Sequence, residues 1–252
     1  MEELYSKVRL SFGQKISKIL KVHRKFLIIE QICVHLQLKE NGQKNLRQNK
    51  KNKRFVYLIS PNKIKDEEFY LKLNQVLSSK KVSFFQLRLK NKSVKKKIFI
   101  GKKIKKICKK YQVKFLINDD PTVARKINAD GCHLGQKDMN IFKARKILKN
   151  KIIGVTCHNS IILARKAIGA GANYLAFGAF YSSKTKKTKY KASLKILRLA
   201  KKLTNTPIVA IGGIKDTNYK KLLLNKANFL AISSYIWNNK KLMPNEAIKK
   251  LK

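Results

Sequence analysis

The chain is 252 residues long with a hydrophobic fraction of 44%, in the range of a folded protein with one large domain or two small ones. No apolar run approaches the ~18 residues of a membrane-spanning helix, so no membrane partner is expected. Lys and Arg number 60 against 13 Asp and Glu, a net charge of +47, but the charge is mostly Lys, spread along the whole chain among abundant Asn, and reads as a solvated surface with no specific nucleic-acid partner.

Residues 1–54 differ from the rest and are expected to form an amino-terminal extension. Apolar residues at helical spacing across 14–38 (Ile16, Ile19, Leu20, Phe26, Leu27, Ile28, Ile32) predict one or two amphipathic helices. Glu30, Gln31 and His35 interrupt the apolar part, which argues against a secretory signal. Residues 39–54 are Lys, Asn, Gln and Arg and read as a basic flexible linker.

Residues 55–252 follow another rhythm and are read as a separate domain. Strands are predicted near 55–60, 82–88, 113–118, 129–134, 151–156, 172–178, 207–211 and 227–233. Helices are predicted near 65–79, 92–110, 121–127, 140–148, 159–169, 190–203, 216–224 and 244–251. Eight strand–helix units in alternation predict the α/β class, a parallel sheet that closes into a (β/α)8 TIM barrel. A weak repeat supports the count: Ala129-Asp130-Gly131, Ala172-Asn173-Tyr174 and Ala227-Asn228-Phe229 open strands four, six and eight. A doubly wound open sheet is disfavoured, because no G-x-G-x-x-G opens the first helix.

In such a barrel the chemistry belongs at the carboxyl ends of the strands. Strand two ends in Gln86-Leu87-Arg88-Leu89-Lys90, whose alternation puts the three polar groups on one face, expected to be the barrel interior. Strand three ends in Asn118-Asp119-Asp120, strand four in His133-Leu134-Gly135-Gln136-Lys137-Asp138, and strand five in Thr156-Cys157-His158. Asp119 and Asp138, on adjacent ends and facing cations, suit Mg²⁺, which is held by one or two carboxylates plus phosphate oxygens. Asp120, just ahead of Pro121, is expected to cap a helix. Strand six runs into Ser182-Ser183-Lys184-Thr185-Lys186, a hydroxyl and lysine turn suited to a phosphorylated substrate. Gly212-Gly213 and Ile232-Ser233-Ser234, on the last two strands, fit the phosphate position that barrels build there.

Cys132-His133 and Cys157-His158 invite a zinc reading, but neighbours on a strand point to opposite faces and neither pair can chelate as a unit. Cysteines at 33, 108, 132 and 157 form no C-x-x-C, which fits a reduced, cytoplasmic protein. No nucleophilic triad is evident.

The ordered set Q-x-R-x-K, N-D, G-C-H-L-G-Q-x-D, G-V-T-C-H, F-G-A-F-Y-x-S-x-T-K and A-I-G-G-I resembles the thiamine phosphate synthase family over about residues 55–238. That resemblance implies a Mg²⁺-dependent transferase. It would join a hydroxymethylpyrimidine diphosphate to a thiazole phosphate, releasing pyrophosphate and giving thiamine phosphate. It implies that Gln86, Arg88, Lys90 and Asn118 hold the pyrimidine diphosphate, that Asp119 and Asp138 bind the metal, and that Thr156, where the family usually has Ser, keeps a hydroxyl near the pyrimidine. Ser183 and Thr185 would contact the thiazole phosphate, Lys186 the leaving diphosphate, and Gly213, Ile232 and Ser233 would close over the thiazole phosphate. Arg88, Lys90 and Lys186 would be the catalytic cations. The sequence departs from the family at Asp120 (usually Arg), Ser182 (commonly Pro) and Leu89 (commonly acidic).

Two rival readings remain. A thiazole tautomerase on the same barrel would not need the diphosphate residues. A basic polyanion-binding protein would bind RNA or DNA with a steep salt dependence. An assembly of identical chains is compatible with the sequence.

Overall fold

The computed structural model describes residues 54–64, 67–182 and 190–251. Its eight strands are parallel and close in chain order into a barrel. They are β1 (Val56–Ile59), β2 (Val82–Leu87), β3 (Lys114–Asn118), β4 (Gly131–Leu134), β5 (Ile152–His158), β6 (Tyr174–Gly178), β7 (Ile208–Ile211) and β8 (Phe229–Ile232). The outer helices are α1 (Glu67–Ser78), α2 (Val94–Lys110), α3 (Pro121–Lys126), α4 (Ile141–Leu148), α5 (Ile161–Gly169), α6 (Leu194–Leu203), α7 (Tyr219–Leu224), α8 (Ser234–Trp237) and α9 (Pro244–Lys250). Register across the closure runs Val56 to Leu230 and Leu58 to Ile232. The predicted (β/α)8 architecture is therefore present. Helix α8 was not foreseen, because its four residues are too few to show a period. The readings made for residues 1–53 lie outside the described residues. No helix among the described residues is long and apolar enough to cross a membrane.

Strands of this sheet are covered on both faces, so they read as nearly continuous apolar runs. In β2, Val82–Leu87 are all buried. Alternation still sorts them: Phe85 and Leu87 pack with the helix layer, while Phe84 joins the lumen cluster. An aromatic plug fills the amino-terminal half of the lumen. Phe84 meets Phe229 edge-on at 5.0 Å, and Tyr57 meets Phe84 at 5.4 Å and Tyr174 at 5.7 Å. Such ring pairs add to the stabilisation from burial alone. The lumen is thus filled below, and a cavity opens at the carboxyl mouth.

The internal repeat has a physical cause. In each copy the polar residue before an even strand ties that strand to the preceding odd one. Asp130 accepts from Phe115 N at 2.8 Å, Asn173 from Ile153 N at 2.8 Å and Asn228 from Ile208 N at 2.9 Å. The backbone N–H groups of the same three residues donate to the carbonyls of those same three partners. The small residue before each one also receives a common contact, donating back to the end of the previous helix. Asn173 is buried, and its Oδ1 accepts as well from the Arg145 guanidinium at 2.8 Å. Asn173→Ala is expected to lower stability by about 2 kcal/mol, since it orphans a buried N–H. Denaturant unfolding checks this, and activity per folded molecule should stay. A normal unfolding midpoint with lost activity contradicts the assignment.

Candidate active site

At the carboxyl mouth lies a cavity of about 370 Å³. Gln86, Arg88, Lys90, Asn118, Asp119, Asp138 and Thr156 line it together, although they come from four strands and the turns that follow them. Ala176, Val209 and Ala231 supply small apolar walls. These short side chains leave room that the aromatics fill deeper in the lumen.

The floor of the cavity is a line of hydrogen bonds across the barrel. Gln86 Nε2 donates to Tyr57 Oη at 2.6 Å, and the Tyr57 and Tyr174 hydroxyls meet at 2.7 Å. Tyr174 Oη meets His133 Nδ1 at 2.8 Å, and His133 Nε2 meets Thr156 Oγ1 at 2.8 Å. Burial pushes His133 down to about 4, so its imidazole is neutral at physiological pH. Burial also pushes both tyrosines up, which keeps their hydroxyls protonated. Every group in the line has a partner, as buried polar groups require.

Above this floor sit the carboxylates. Asp119 follows β3 in the left-handed region (φ 64), which Asp tolerates better than most residues. Its backbone N–H donates to the His133 carbonyl at 2.8 Å, which locks the turn. Asp138 reaches the same place from the loop after β4, its Oδ2 accepting from Gly135 N at 2.6 Å. Desolvation, and then the hydrogen bond and charge of Asp138, push Asp119 up to about 6, although Lys90 and Arg88 pull the other way. Two carboxylates this close favour a shared proton or a cation between them. Lys90 Nζ is 3.6 Å from Asp119 Oδ2, and Arg88 Nη1 donates to Asn62 Oδ1 at 2.9 Å.

The expectation that Arg88 and Lys90 lie buried in the interior needs correcting. β2 ends at Leu87, so both ride past the strand onto the rim, and the Lys90 side chain is 55% exposed. Only Gln86 is buried in the lumen. Asp120 does cap α3, with Oδ1 accepting from Val123 N at 3.0 Å. Its other oxygen stands 3.7 Å from Lys97 Nζ, and it is not among the cavity-lining residues. The negative charge it introduces is thus turned toward α2.

The β6 end is placed by two glycines. Gly212 (φ 108) and Gly213 (φ 61) hold conformations that side chains rarely adopt. A Cβ on Gly213 would lie 2.3 Å from the Ser182 carbonyl oxygen. Phe180 N and Tyr181 N donate to the Ile211 and Gly212 carbonyls, both at 3.1 Å, so the chain after β6 rests on this platform. Ser183, Thr185 and Lys186 lie outside the described residues. Gly213, Ser182 and Ser234 line a second opening of about 580 Å³, with Asn62 and Tyr235. The Ile232 side chain packs into the helix layer, away from the lumen, so only its backbone is available to a ligand. Ser233 Oγ donates to the Ser60 carbonyl at 3.2 Å, tying β8 to the end of β1.

A family model described as thiamine monophosphate synthase matches residues 56–236. A thiamine-phosphate synthase of Pelagibacter ubique is 73% identical over 207 residues, 82% of this chain and 100% of the relative. The chain belongs to the thiamine monophosphate synthase family. A thiamine-phosphate synthase of Nitrosomonas eutropha is 40% identical over 158 residues, 62% of this chain and 74% of the relative. Among solved structures, a thiamine phosphate pyrophosphorylase of Pyrococcus furiosus is 28% identical, with a TM-score of 0.70 over 79% of this chain and 94% of its own. A 3-hexulose-6-phosphate synthase at 17% identity and a TM-score of 0.56 shows the shared barrel alone.

Within this family's barrel, several lining residues escaped the sequence reading. Tyr57 and Tyr174 look like ordinary core aromatics, and only the lumen reveals their hydroxyl contacts. Tyr190 enters the cavity wall by stacking on His158 at 4.0 Å. Its position depends on how the chain returns from the β6 loop, which no local pattern encodes. Among the described residues there is no cluster of three or more His, Cys, Asp or Glu that could hold a metal ion. Cys132 and Cys157 face the helix layer with their thiols pushed up by burial, Cys157 to about 12. Neither can serve as a nucleophile at the mouth.

Proposed function

We propose that this chain joins 4-amino-2-methyl-5-(diphosphooxymethyl)pyrimidine to a thiazole phosphate, giving thiamine phosphate and pyrophosphate. The observation that carries this reading is the meeting of Arg88 and Lys90 with the Asp119–Asp138 pair at one cavity mouth, directly above the Gln86–Thr156 floor. A diphosphate needs cations, and a leaving diphosphate needs more of them as charge develops on it. The paired carboxylates fit Mg²⁺, because two acids plus phosphate oxygens make an ordinary site for that ion. Bound there, the ion would neutralise charge on the departing group.

The chain's own residues then act by placement. Arg88 and Lys90 attract the diphosphate oxygens, and Lys186 joins them in this reading. Asn118 stands on the same rim. Gln86 and Thr156 orient the pyrimidine ring over the small apolar walls. The carbinyl C–O bond breaks, its electron pair leaves with the diphosphate, and the thiazole nitrogen supplies the pair for the new bond. Holding the nitrogen alongside converts capture into a near-unimolecular step. The Gly213 and Ser233 strand ends hold the thiazole phosphate through backbone groups.

Incubating the protein with both substrates and Mg²⁺, and following pyrophosphate release, tests this. Pyrophosphate and thiamine phosphate in equal amounts are expected. Thiazole isomerisation without pyrophosphate would replace the reading by the tautomerase. A second expectation concerns pH. Protons compete with the cation for Asp119, so Mg²⁺ affinity measured with pyrophosphate should fall as pH drops through about 6. Calorimetry in two buffers should show proton release near that pH, and a flat profile from pH 5 to 8 would contradict the Asp119 assignment.

A further inference from the structure

The hydrogen-bond line in the lumen has a direction. Its sense is set at one end, because the Gln86 amide nitrogen can only donate. Tyr57 Oη accepts that proton, and because Tyr174 Oη is its other hydrogen-bond partner among the described residues, its own O–H is satisfied only by pointing at Tyr174. Tyr174 in turn directs its proton to His133 Nδ1. An imidazole that accepts at Nδ1 is neutral and carries one N–H. That N–H must then sit on Nε2 and point at Thr156 Oγ1. Thr156 is left with its own proton for the cavity, and Gln86 with its carbonyl oxygen.

A second observation shows that Tyr174 is fitted to this place. Gly154 and Tyr174 are register partners on β5 and β6. A Cβ on Gly154 would lie 1.8 Å from Tyr174 Cζ. The ring occupies the space that only a glycine leaves, and it cannot retreat from a lumen already packed with Tyr57 and Phe84.

We propose that Tyr174 is a positioning residue that fixes the polarity of this line, so that the cavity offers a hydroxyl donor at Thr156 and a carbonyl acceptor at Gln86, and thereby selects an aminopyrimidine over its oxo counterpart. An aminopyrimidine edge carries an acceptor ring nitrogen beside a donor amine. An oxopyrimidine edge carries the reverse, a donor ring N–H beside an acceptor oxygen. The substrate half of the proposal rests on the function proposed above; the polarity of the line does not.

Two measurements on the full chain separate these halves. Histidine ¹⁵N NMR without ligand should show His133 with a bare Nδ1 and a protonated Nε2, assigned by loss of the signal in His133→Gln. In Tyr174→Phe the Nδ1 donor is gone, and the tautomer should become mixed. Kinetically, the preference in kcat/KM for the aminopyrimidine diphosphate over its 4-oxo analogue should fall by about 10-fold or more in Tyr174→Phe, with KM for the thiazole phosphate unchanged. Thr156→Ser, which retains the hydroxyl, should keep the preference. A wild-type spectrum with Nδ1 protonated overturns the polarity and needs no variant to fold. An unchanged preference in a folded Tyr174→Phe overturns the selective role. Wild-type protein with the expected tautomer but no coupling activity would sink the proposed function and leave the line standing.

Discussion

Asp119→Asn will reduce kcat/KM for coupling by about 10²-fold or more, without destabilising the fold. The loss follows from charge. A divalent ion between the substrate diphosphate and this mouth depends on carboxylates, and an amide oxygen is a far weaker partner, so several kcal/mol of electrostatic stabilisation disappear. The fold survives because Asn accepts the left-handed backbone at φ 64 as readily as Asp does, and the backbone bond to the His133 carbonyl is untouched. Stability should even improve at neutral pH. Asp119 titrates near 6 in the native state against 3.8 ordinarily, so the native state binds the extra proton. Its contribution is fully present below about 4 and is lost as pH rises through 6. Asn keeps that neutral state at every pH. The gain is about 1 kcal/mol at most, since the side chain is 31% exposed and solvent screens the pair. Metal-free melting temperatures of the two proteins should therefore coincide near pH 4 and diverge above 6, with the variant higher. Adding Mg²⁺ and pyrophosphate should raise the wild-type value only. Near-normal turnover in the variant, or a melting temperature well below wild type at pH 8, would overturn the metal assignment.

The two acids also show what a sequence can and cannot reveal. Asp119 and Asp138 were legible because acidic residues are scarce in this chain and both sit just past strand ends. Their close approach is set by the loop after β4, where Asp138 Oδ2 accepts from Gly135 N, and no strand pattern states that. The eight strands were legible because each is a short apolar run bounded by polar turns. The face that each residue takes was less so. β2 is buried on both sides, so the interior reading of Q-x-R-x-K held for Gln86 and failed for Arg88 and Lys90, which lie beyond the last paired residue. The lumen line was illegible for a related reason. Tyr57 and Tyr174 are 117 positions apart, and nothing local distinguishes a tyrosine that packs from one that passes a proton bond onward. The repeat before strands four, six and eight was visible as a pattern, but its cause is long-range, a side-chain oxygen holding the neighbouring strand's N–H.

Asp120 illustrates how a departure from family pattern can be absorbed. On sequence alone it removes a cation from the diphosphate site and adds an anion. In the structure one oxygen satisfies the first turn of α3 and the other faces Lys97. The carboxylate is used locally, so the cavity keeps its described cations Arg88, Lys90 and Lys137.

Gly213→Ala should lower kcat/KM by about 10²-fold, with a smaller loss of stability. Alanine at φ 61 costs about 1 kcal/mol in backbone strain, which alone would be tolerable. The larger effect is steric. The new methyl would stand 2.3 Å from the Ser182 oxygen and 2.7 Å from the Tyr181 oxygen, and both are backbone atoms that cannot rotate aside. The chain after β6 must lift from its platform, weakening the Tyr181 N bond to the Gly212 carbonyl and the Tyr181 Oη bond to the Asn218 carbonyl. From Ser182 the sequence continues directly into Ser183, Thr185 and Lys186. Moving their point of departure by about 1 Å is enough to cost two orders of magnitude when reacting groups must align. The signature is specific. KM for the thiazole phosphate should rise and kcat fall, while Mg²⁺-dependent pyrophosphate binding at Asp119 and Asp138 stays within about 3-fold of wild type. Wild-type kinetics in Gly213→Ala would mean that the glycine platform does not govern the β6 turn, and equal losses of both ligands would mean that the whole mouth, and not this one turn, had been disturbed.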